Sequence, residues 1–423
     1  MGKVLSLDIG SSSCKLLLSE KQSGNLDILF FSEKQYAQTV KDHLNEDMIQ
    51  TVSNQVKNII RDYKNVNKEI VKCNISFGGT NVNSTIIESS LENDDSSKII
   101  NQEKIDLLSK NNPKINSFLN KKTAHIIPLD YNLDGMIGIR HPLGMHSKEI
   151  SVQNLYVNIN DDYLKTIENI VLEAGLIPSL VTSEIITSSL FVLNSDEREI
   201  GSLIIDIGAS STDFCYSKKG NPILVGALPV GGSQFSSDLA IAFSTNLEFA
   251  NQLKFETSCT PENERVAEKI IVKQNNSSKT FEVTKRQISQ VLKERAVEIF
   301  TLIRQEIIEN IGIDNLPERV ILCGGGSKLD GAVALSRYIF QAKVRLADTK
   351  NIKFLGESLP LESLSVISSA KYAHSENLQN YFRLISNVEN NSKPIFQIGN
   401  KNFNNVKMLI LNIIVKIKSL IRK

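Results

Sequence analysis

Leu203-Ile204-Ile205-Asp206-Ile207-Gly208-Ala209-Ser210-Ser211-Thr212-Asp213 is a second version of the start of the chain, and that repetition decides the fold. There, Val4-Leu5-Ser6-Leu7-Asp8-Ile9-Gly10 runs through a serine-rich turn into Cys14-Lys15-Leu16-Leu17-Leu18. Each copy is an apolar strand ending in Asp-Ile-Gly, followed by small hydroxyl residues and a returning strand, which predicts a hairpin. Two such hairpins roughly half a chain apart imply two similar halves that face each other.

The turn residues suit a phosphate and metal clamp. Gly10 lets backbone amides come close to a phosphate, Ser11 and Ser12 add hydroxyl donors, and Asp8 can hold a magnesium shell through water. Lys15 can set a point charge against the phosphates. The second copy supplies Asp206, Gly208, Ser210, Ser211, Thr212 and Asp213, with Asp206 in the metal-holding place of Asp8. A lone turn of this kind reads equally well as an ordinary hairpin. Two copies together with Gly324-Gly325-Gly326-Ser327 after a strand are more specific. Those glycines can let backbone lie flat against an adenine or ribose, where a side chain would collide.

Around the hairpins the pattern is mixed α/β. Apolar residues at Met48, Val52, Val56, Ile59 and Ile60 predict a helix over 48–63, leading to a strand around Ile75 and a turn at Gly78-Gly79. Over about 83–160 the texture turns Asn- and Ser-rich. This predicts an inserted subdomain of polar loops and short strands, with His125-Ile126-Ile127-Pro128 and Leu155-Tyr156-Val157 as apolar islands. A helix over 163–174 is stopped by Gly175 and Pro178. Helices over 286–310, a strand over 319–323 and a polar linker over 387–402 complete the pattern before a last apolar-basic segment.

With 423 residues, 41% hydrophobic and 22% charged, the chain can bury a large core in more than one domain. Its 48 basic and 47 acidic residues give no general attraction for nucleic acid. Cys14, Cys73, Cys215, Cys259 and Cys323 are scattered and never form a CxxC pair, which argues against a disulfide framework or zinc site and fits a reducing cytosol. His141 and His146 lack companions at metal spacing and read as surface or loop residues. The opening has neither a basic n-region nor a small-residue cleavage site, so no secretory signal is expected. No run reaches the ~18 uninterrupted apolar residues of a membrane span.

The last segment carries the clearest physical signal. At about 100° per residue, Phe403, Val406, Leu409, Ile410, Ile413, Ile414, Ile417, Leu420 and Ile421 fall in one arc. Lys407, Lys416, Lys418, Arg422 and Lys423 lie on the rest, although Met408, Leu411 and Val415 intrude there. A core or coiled-coil helix is the alternative. The preceding linker, the clustered cations and the absence of acid favour an amphipathic helix lying in an anionic membrane surface, where each cation contributes roughly 1 kcal/mol.

Taken in order, residues 8–15, Glu184, 206–213 and 324–327 resemble the phosphate 1, connect 1, phosphate 2 and adenosine motifs of the actin, Hsp70 and hexokinase superfamily. Further segments resemble the FtsA family within it. These are His125-Ile126-Ile127-Pro128 with Asp134-Gly135 and Pro142-Leu143-Gly144-Met145, then Glu197-Arg198-Glu199-Ile200-Gly201, then Pro229-Val230-Gly231-Gly232 followed by Asp238-Leu239-Ala240. The resemblance spans nearly the whole chain. It implies an actin-like two-domain ATPase fold: subdomain 1A at 1–82 and 161–198, an inserted 1C at 83–160, 2A at 199–240 and 315–386, 2B at 241–314, a linker at 387–402 and a membrane-targeting helix at 403–423.

The family resemblance further implies ATP and Mg2+ as cofactors, with Lys254 of 2B near the ribose and Glu184 orienting water; the activity expected is at most a weak ATPase. It implies head-to-tail self-assembly through 1C and 2B, partnership with the tubulin-like FtsZ and other division proteins, and peripheral attachment to the cytoplasmic face of the membrane at the division site. An acidic FtsZ tail would suit the basic 2B helix with Lys285, Arg286, Lys293 and Arg295. The chain departs from the family pattern at Ser210 and Ser368, where glycine is usual, and at Asn251, where glutamate is usual. Two alternatives share the core: a PilM-like pilus-assembly protein, which would not need the last helix, and a small-molecule kinase, which would need a further catalytic base. A chaperone would need a β-sandwich after the core.

Overall fold

Asp8 sits opposite Lys15 where β1 (Val4–Ile9) pairs antiparallel with β2 (Ser13–Gln22), and β3 (Asn25–Gln35) continues the ladder. The computed structural model describes residues 2–22, 25–40, 45–66, 71–94, 96–110, 120–264, 268–275, 279–349 and 352–375. The predicted linker at 387–402 and the helix at 403–423 lie outside the described residues. The helix predicted over 48–63 is α1 (Glu46–Val66), which buries Val52, Val56, Ile59, Ile60 and Tyr63. It leads to β4 (Lys72–Phe77), parallel to β1.

The predicted insertion begins just beyond Gly79. It is a four-stranded antiparallel sheet of β5 (Val82–Glu92), β6 (Lys121–Leu133), β7 (Met136–Ile139) and β8 (Glu149–Asn160), in the order β5-β8-β6-β7, with α2 (Gln102–Lys110) packed on it. Three of the strands run 11 to 13 residues, which corrects the expectation of short strands among loops. The reason is the period of two. Serines and asparagines alternate with Ile150, Val152 and similar residues, so polar content that reads as loop lies on alternate positions of a pleated ladder.

The chain returns through α3 (Asp161–Glu173), capped by the Asn160 side chain and ended by Gly175 at φ 86°, to β9 (Ile177–Ser183) and α4 (Glu184–Val192). A short α5 (Ser195–Ile200) opens the second half. There β10 (Ser202–Ile207), β11 (Thr212–Lys218) and β12 (Asn221–Leu228) precede α6 (Gly232–Ala242), α7 (Leu247–Glu256), the β13 (Lys269–Lys273) and β14 (Thr280–Thr284) hairpin and α8 (Lys285–Ile311). Last come β15 (Arg319–Cys323), α9 (Ala332–Phe340), β16 (Lys343–Leu346) and α10 (Leu364–Ala373).

The repeat read in the sequence is a repeat of topology. One sheet has the order β3-β2-β1-β4-β9 and the other β12-β11-β10-β15-β16, three antiparallel strands then two parallel ones in each. Central strands covered on both faces explain the unbroken Leu203-Ile204-Ile205 run. The second sheet buries one face in a cluster of its own and adds Ile204, Cys215, Val225, Ile321 and Cys323 to the cluster of the first.

Other features also join the halves. α10, assigned by sequence to the second half, packs on β1, β2 and β4 of the first and against α4, burying Val366, Ile367 and Ala370 with Leu17. The inserted sheet also binds the second half. The Ser84 hydroxyl donates to Val225 O at 2.8 Å and accepts from Val225 N at 3.0 Å, Asn221 donates to Pro128 O, and Arg140 grips Glu199 with two nitrogens.

Candidate functional site

Both hairpin turns close with the same bond: Gly10 N donates to Ser13 O at 3.1 Å, and Gly208 N to Ser211 O at 2.9 Å. The second turn is pinned to the start of α6, where Gly232 N donates to Gly208 O at 2.7 Å and Ser233 donates to Ala209 O through both its amide and its hydroxyl. A Cβ on Gly231 would stand 2.7 to 2.8 Å from three carbonyl oxygens of that turn, so only glycine permits the approach. Across the cleft the turns touch: Ser210 N donates to Ser11 Oγ at 3.1 Å, and Gly79 N donates to Asp213 Oδ1 at 2.7 Å.

The cleft has a volume of about 620 Å³ and is lined from both halves. Of the residues singled out by sequence, Asp8, Gly10, Ser11, Ser12, Lys15, Glu184, Asp206, Gly208, Ser210, Ser211, Asp213, Lys254, Gly324, Gly325 and Gly326 face it. Thr212 and Ser327 do not, because their hydroxyls are bound to Val230 O and Gly324 O. Gly324 and Gly326 are needed for packing against β10. Cβ atoms there would lie 2.6 Å from Ile207 O and 2.3 Å from Ile207 Cγ2.

Three carboxyls, those of Asp8, Glu33 and Glu184, act on one ammonium. Lys15 lies 3.4 Å from Asp8 and 3.9 Å from Glu33. Burial alone would lower its pKa, but Asp8, Glu33 and Glu184 overcome that and raise it. Asp8 Oδ2 also accepts from Ser365 at 2.6 Å, while Asp8 Oδ1 is buried with no partner among the described residues. Burial, then the charges of Asp8, Asp213 and Asp206, push Glu184 well above the usual carboxylate range. Asp206 is pushed up to about 6, chiefly by burial. Gly78 makes room for Glu184, since a Cβ there would stand 2.1 Å from Glu184 Oε1.

This excess of buried negative charge suits a divalent cation. Asp8 and Asp206 both face the cleft, and no group of three His, Cys, Asp or Glu able to hold a metal by itself exists among the described residues. All five cysteines are free and buried, and His141 and His146 are exposed.

Beside the second turn, Lys254 donates to Gly232 O and lies 4.7 Å from the centre of the exposed Phe255 ring. Asn251 accepts from the Ser236 hydroxyl, so its amide is fixed within the protein. Glu33, Phe255, Glu362 and Ser365 also line the cleft and were not foreseen. Only Glu33 left a trace in the sequence, since β3 pairs with β2 so as to set it beside Lys15.

Comparison with known proteins agrees with this architecture. A sequence profile described as "Cell division protein FtsA" matches residues 203–376, and one described as "SHS2 domain inserted in FTSA" matches residues 79–157, the inserted sheet. The chain is 29% identical to the FtsA of Pseudomonas aeruginosa over 56% of its own length and 57% of that protein's, so the match spans little more than half of that relative. It is 22% identical to the Borreliella burgdorferi FtsA over 75% and 78% of the two chains. With the Streptococcus pneumoniae protein it shares 25% identity over 80% and 74%. Among solved structures, it resembles one from a PilM-PilN type IV pilus biogenesis complex (TM-score 0.60, 16% identity, 88% and 98% covered). It also resembles MreB5 of Spiroplasma citri bound to ADP (TM-score 0.52, 16% identity, 89% and 98% covered). At such identity these likenesses show the fold: actin-like, with an inserted SHS2 domain.

Proposed function

Because this chain belongs to the FtsA family of cell-division proteins, we propose that it binds ATP with Mg2+ between its halves and forms filaments that hold FtsZ at the cytoplasmic face of the division-site membrane. The observation that carries the nucleotide reading is the pair of identically closed turns facing each other, with Lys15 and a cluster of carboxyls in the cleft they line. Phosphates would lie against Gly10, Ser11, Ser12, Gly208, Ser210 and Ser211, and adenosine near Gly324, Gly325, Gly326 and Lys254. Mg2+ would supply positive charge to the phosphates. Glu184 would orient water, and the Ser210 side chain in the turn keeps any hydrolysis slow. Titration calorimetry with Mg-ATP at millimolar ligand tests this: saturable heat is expected, and none sinks the nucleotide reading.

The membrane part rests on residues 403–423. Nine apolar residues in one arc, each worth about 1.5 to 3 kcal/mol when buried, need cover, and flanking cations select an anionic surface. Head-to-tail contact of the inserted subdomain with 2B would make an open filament. That filament, with FtsZ on the α8 face at Arg286 and Lys293, would give the adaptor its grip and a base for other division proteins. The likeness to PilM is one of fold, whereas the matches in sequence favour division over pilus assembly.

A further inference from the structure

We propose that His125 is a positioning residue through which the inserted subdomain sets the carboxyl of Glu184 in the cleft. His125 lies on β6 with no exposed surface, and its Nε2 accepts the Ser183 backbone N–H at 2.9 Å. Ser183 is the residue immediately before Glu184. It is the N-cap of α4, yet its hydroxyl makes no cap bond and has no partner among the described residues. The first turn of α4, which carries Glu184 into the cleft, is thus tied to the inserted sheet by an imidazole.

The ring is held from a second side. It meets Tyr372 of α10 edge-on, at 5.7 Å and 80°, and α10 is the helix whose Ser365 hydroxyl binds Asp8. His125 therefore stands where the inserted sheet meets both helices that reach the acid cluster. Burial lowers its pKa to about 3, so the ring is neutral and Nε2 is a standing acceptor. Nδ1 must then carry the proton, and it has no hydrogen-bond partner among the described residues. An apolar residue of similar size would fill the site without that orphaned polar atom. What only the imidazole supplies is the bond to Ser183.

The role in nucleotide binding rests on the reading of the cleft given above, whereas the positioning of Glu184 does not need a ligand. Two variants of full-length protein separate them. His125→Gln places an amide oxygen near the position of Nε2, and His125→Asn places one only near Nδ1, with comparable loss of ring packing. The infrared carboxyl bands of Glu184, isolated as the difference between each protein and its Glu184→Gln partner, are expected to match wild type in His125→Gln and to shift in His125→Asn. Mg-ATP affinity is expected to fall about tenfold in His125→Asn and to stay within about twofold in His125→Gln, with no difference between them once Glu184 is Gln. Identical Glu184 bands in His125→Asn and wild type overturn the proposal, as does an affinity difference that survives Glu184→Gln. Failure of wild type to bind Mg-ATP would sink the nucleotide reading alone, and the infrared comparison would still decide the positioning.

Discussion

Lys254 keeps an ammonium where little water reaches, and burial lowers its pKa to about 8. The unfolded chain holds that proton up to the ordinary value of 10.5, so the unfolded state binds more protons between pH 8 and 10.5 and stability rises with pH across that window. Replacing Lys254 with Met is expected to stabilise the ligand-free protein at pH 7 by up to roughly 3 kcal/mol and to flatten the profile above pH 8. Urea unfolding at pH 7 and at pH 9.5 checks both. His125 acts at the acid end, since its folded pKa of about 3 lies below the ordinary 6.5. Its contribution is complete above 6.5 and is lost as pH falls toward 3, a slope that His125→Gln should remove from acid-unfolding curves. The cleft residues inside the two hairpins were legible because the hairpin places them by local geometry. Ser365 was not, because its bond to Asp8 spans 357 positions and no short pattern announces it.

At the scale of an element, α8 shows how a helix sorts its cations. The sequence put Lys285, Arg286, Lys293 and Arg295 on one basic face, but Arg295 follows Lys293 by about 200° of helical rotation and points inward. It is buried, binds both carboxylate oxygens of Asp238 on α6, and pairs with Glu298. Arg295→Met should cost about 3 to 5 kcal/mol in chemical denaturation, because it strands two buried acids. Of the remaining cations, Lys285 pairs with Glu268 and Lys293 with Glu262, while Arg286 is exposed. Reversing charge at Arg286 and Lys293 together is expected to weaken an FtsZ tail peptide about fivefold and to lower the salt dependence of its binding. Unchanged affinity in fluorescence anisotropy would remove α8 as the docking face. Of the elements with a clean period, β15 was read to the residue and α1 to within three residues at each end. The long strands of the insertion were not, because roughly half their positions are polar residues that read as loop.

At the scale of the whole molecule, the duplicated sheets were legible from one repeated phrase, and the path of the chain between them was not. Full-length protein is expected to sediment with anionic vesicles in a salt-sensitive way. Truncation after Gly399 and the pair Ile413→Glu and Ile417→Glu should both release it, and equal sedimentation of all three would show that this segment is no anchor. Filament formation is expected to survive that truncation, which electron microscopy with ATP can check. The return of α10 to the first half has a consequence for the order of events at the ribosome. Strands β1, β2 and β4 are synthesised early but lack the helix that covers them until residues 364–373 emerge. At roughly 5 to 20 residues per second, the 357 residues from Asp8 to Ser365 take on the order of 20 to 70 seconds. The second half, contiguous from β10 to β16, can close on its own sheet in that interval, so the half translated first is the half completed last. A newborn chain cannot have a finished cleft until almost all of its folded body has left the exit tunnel.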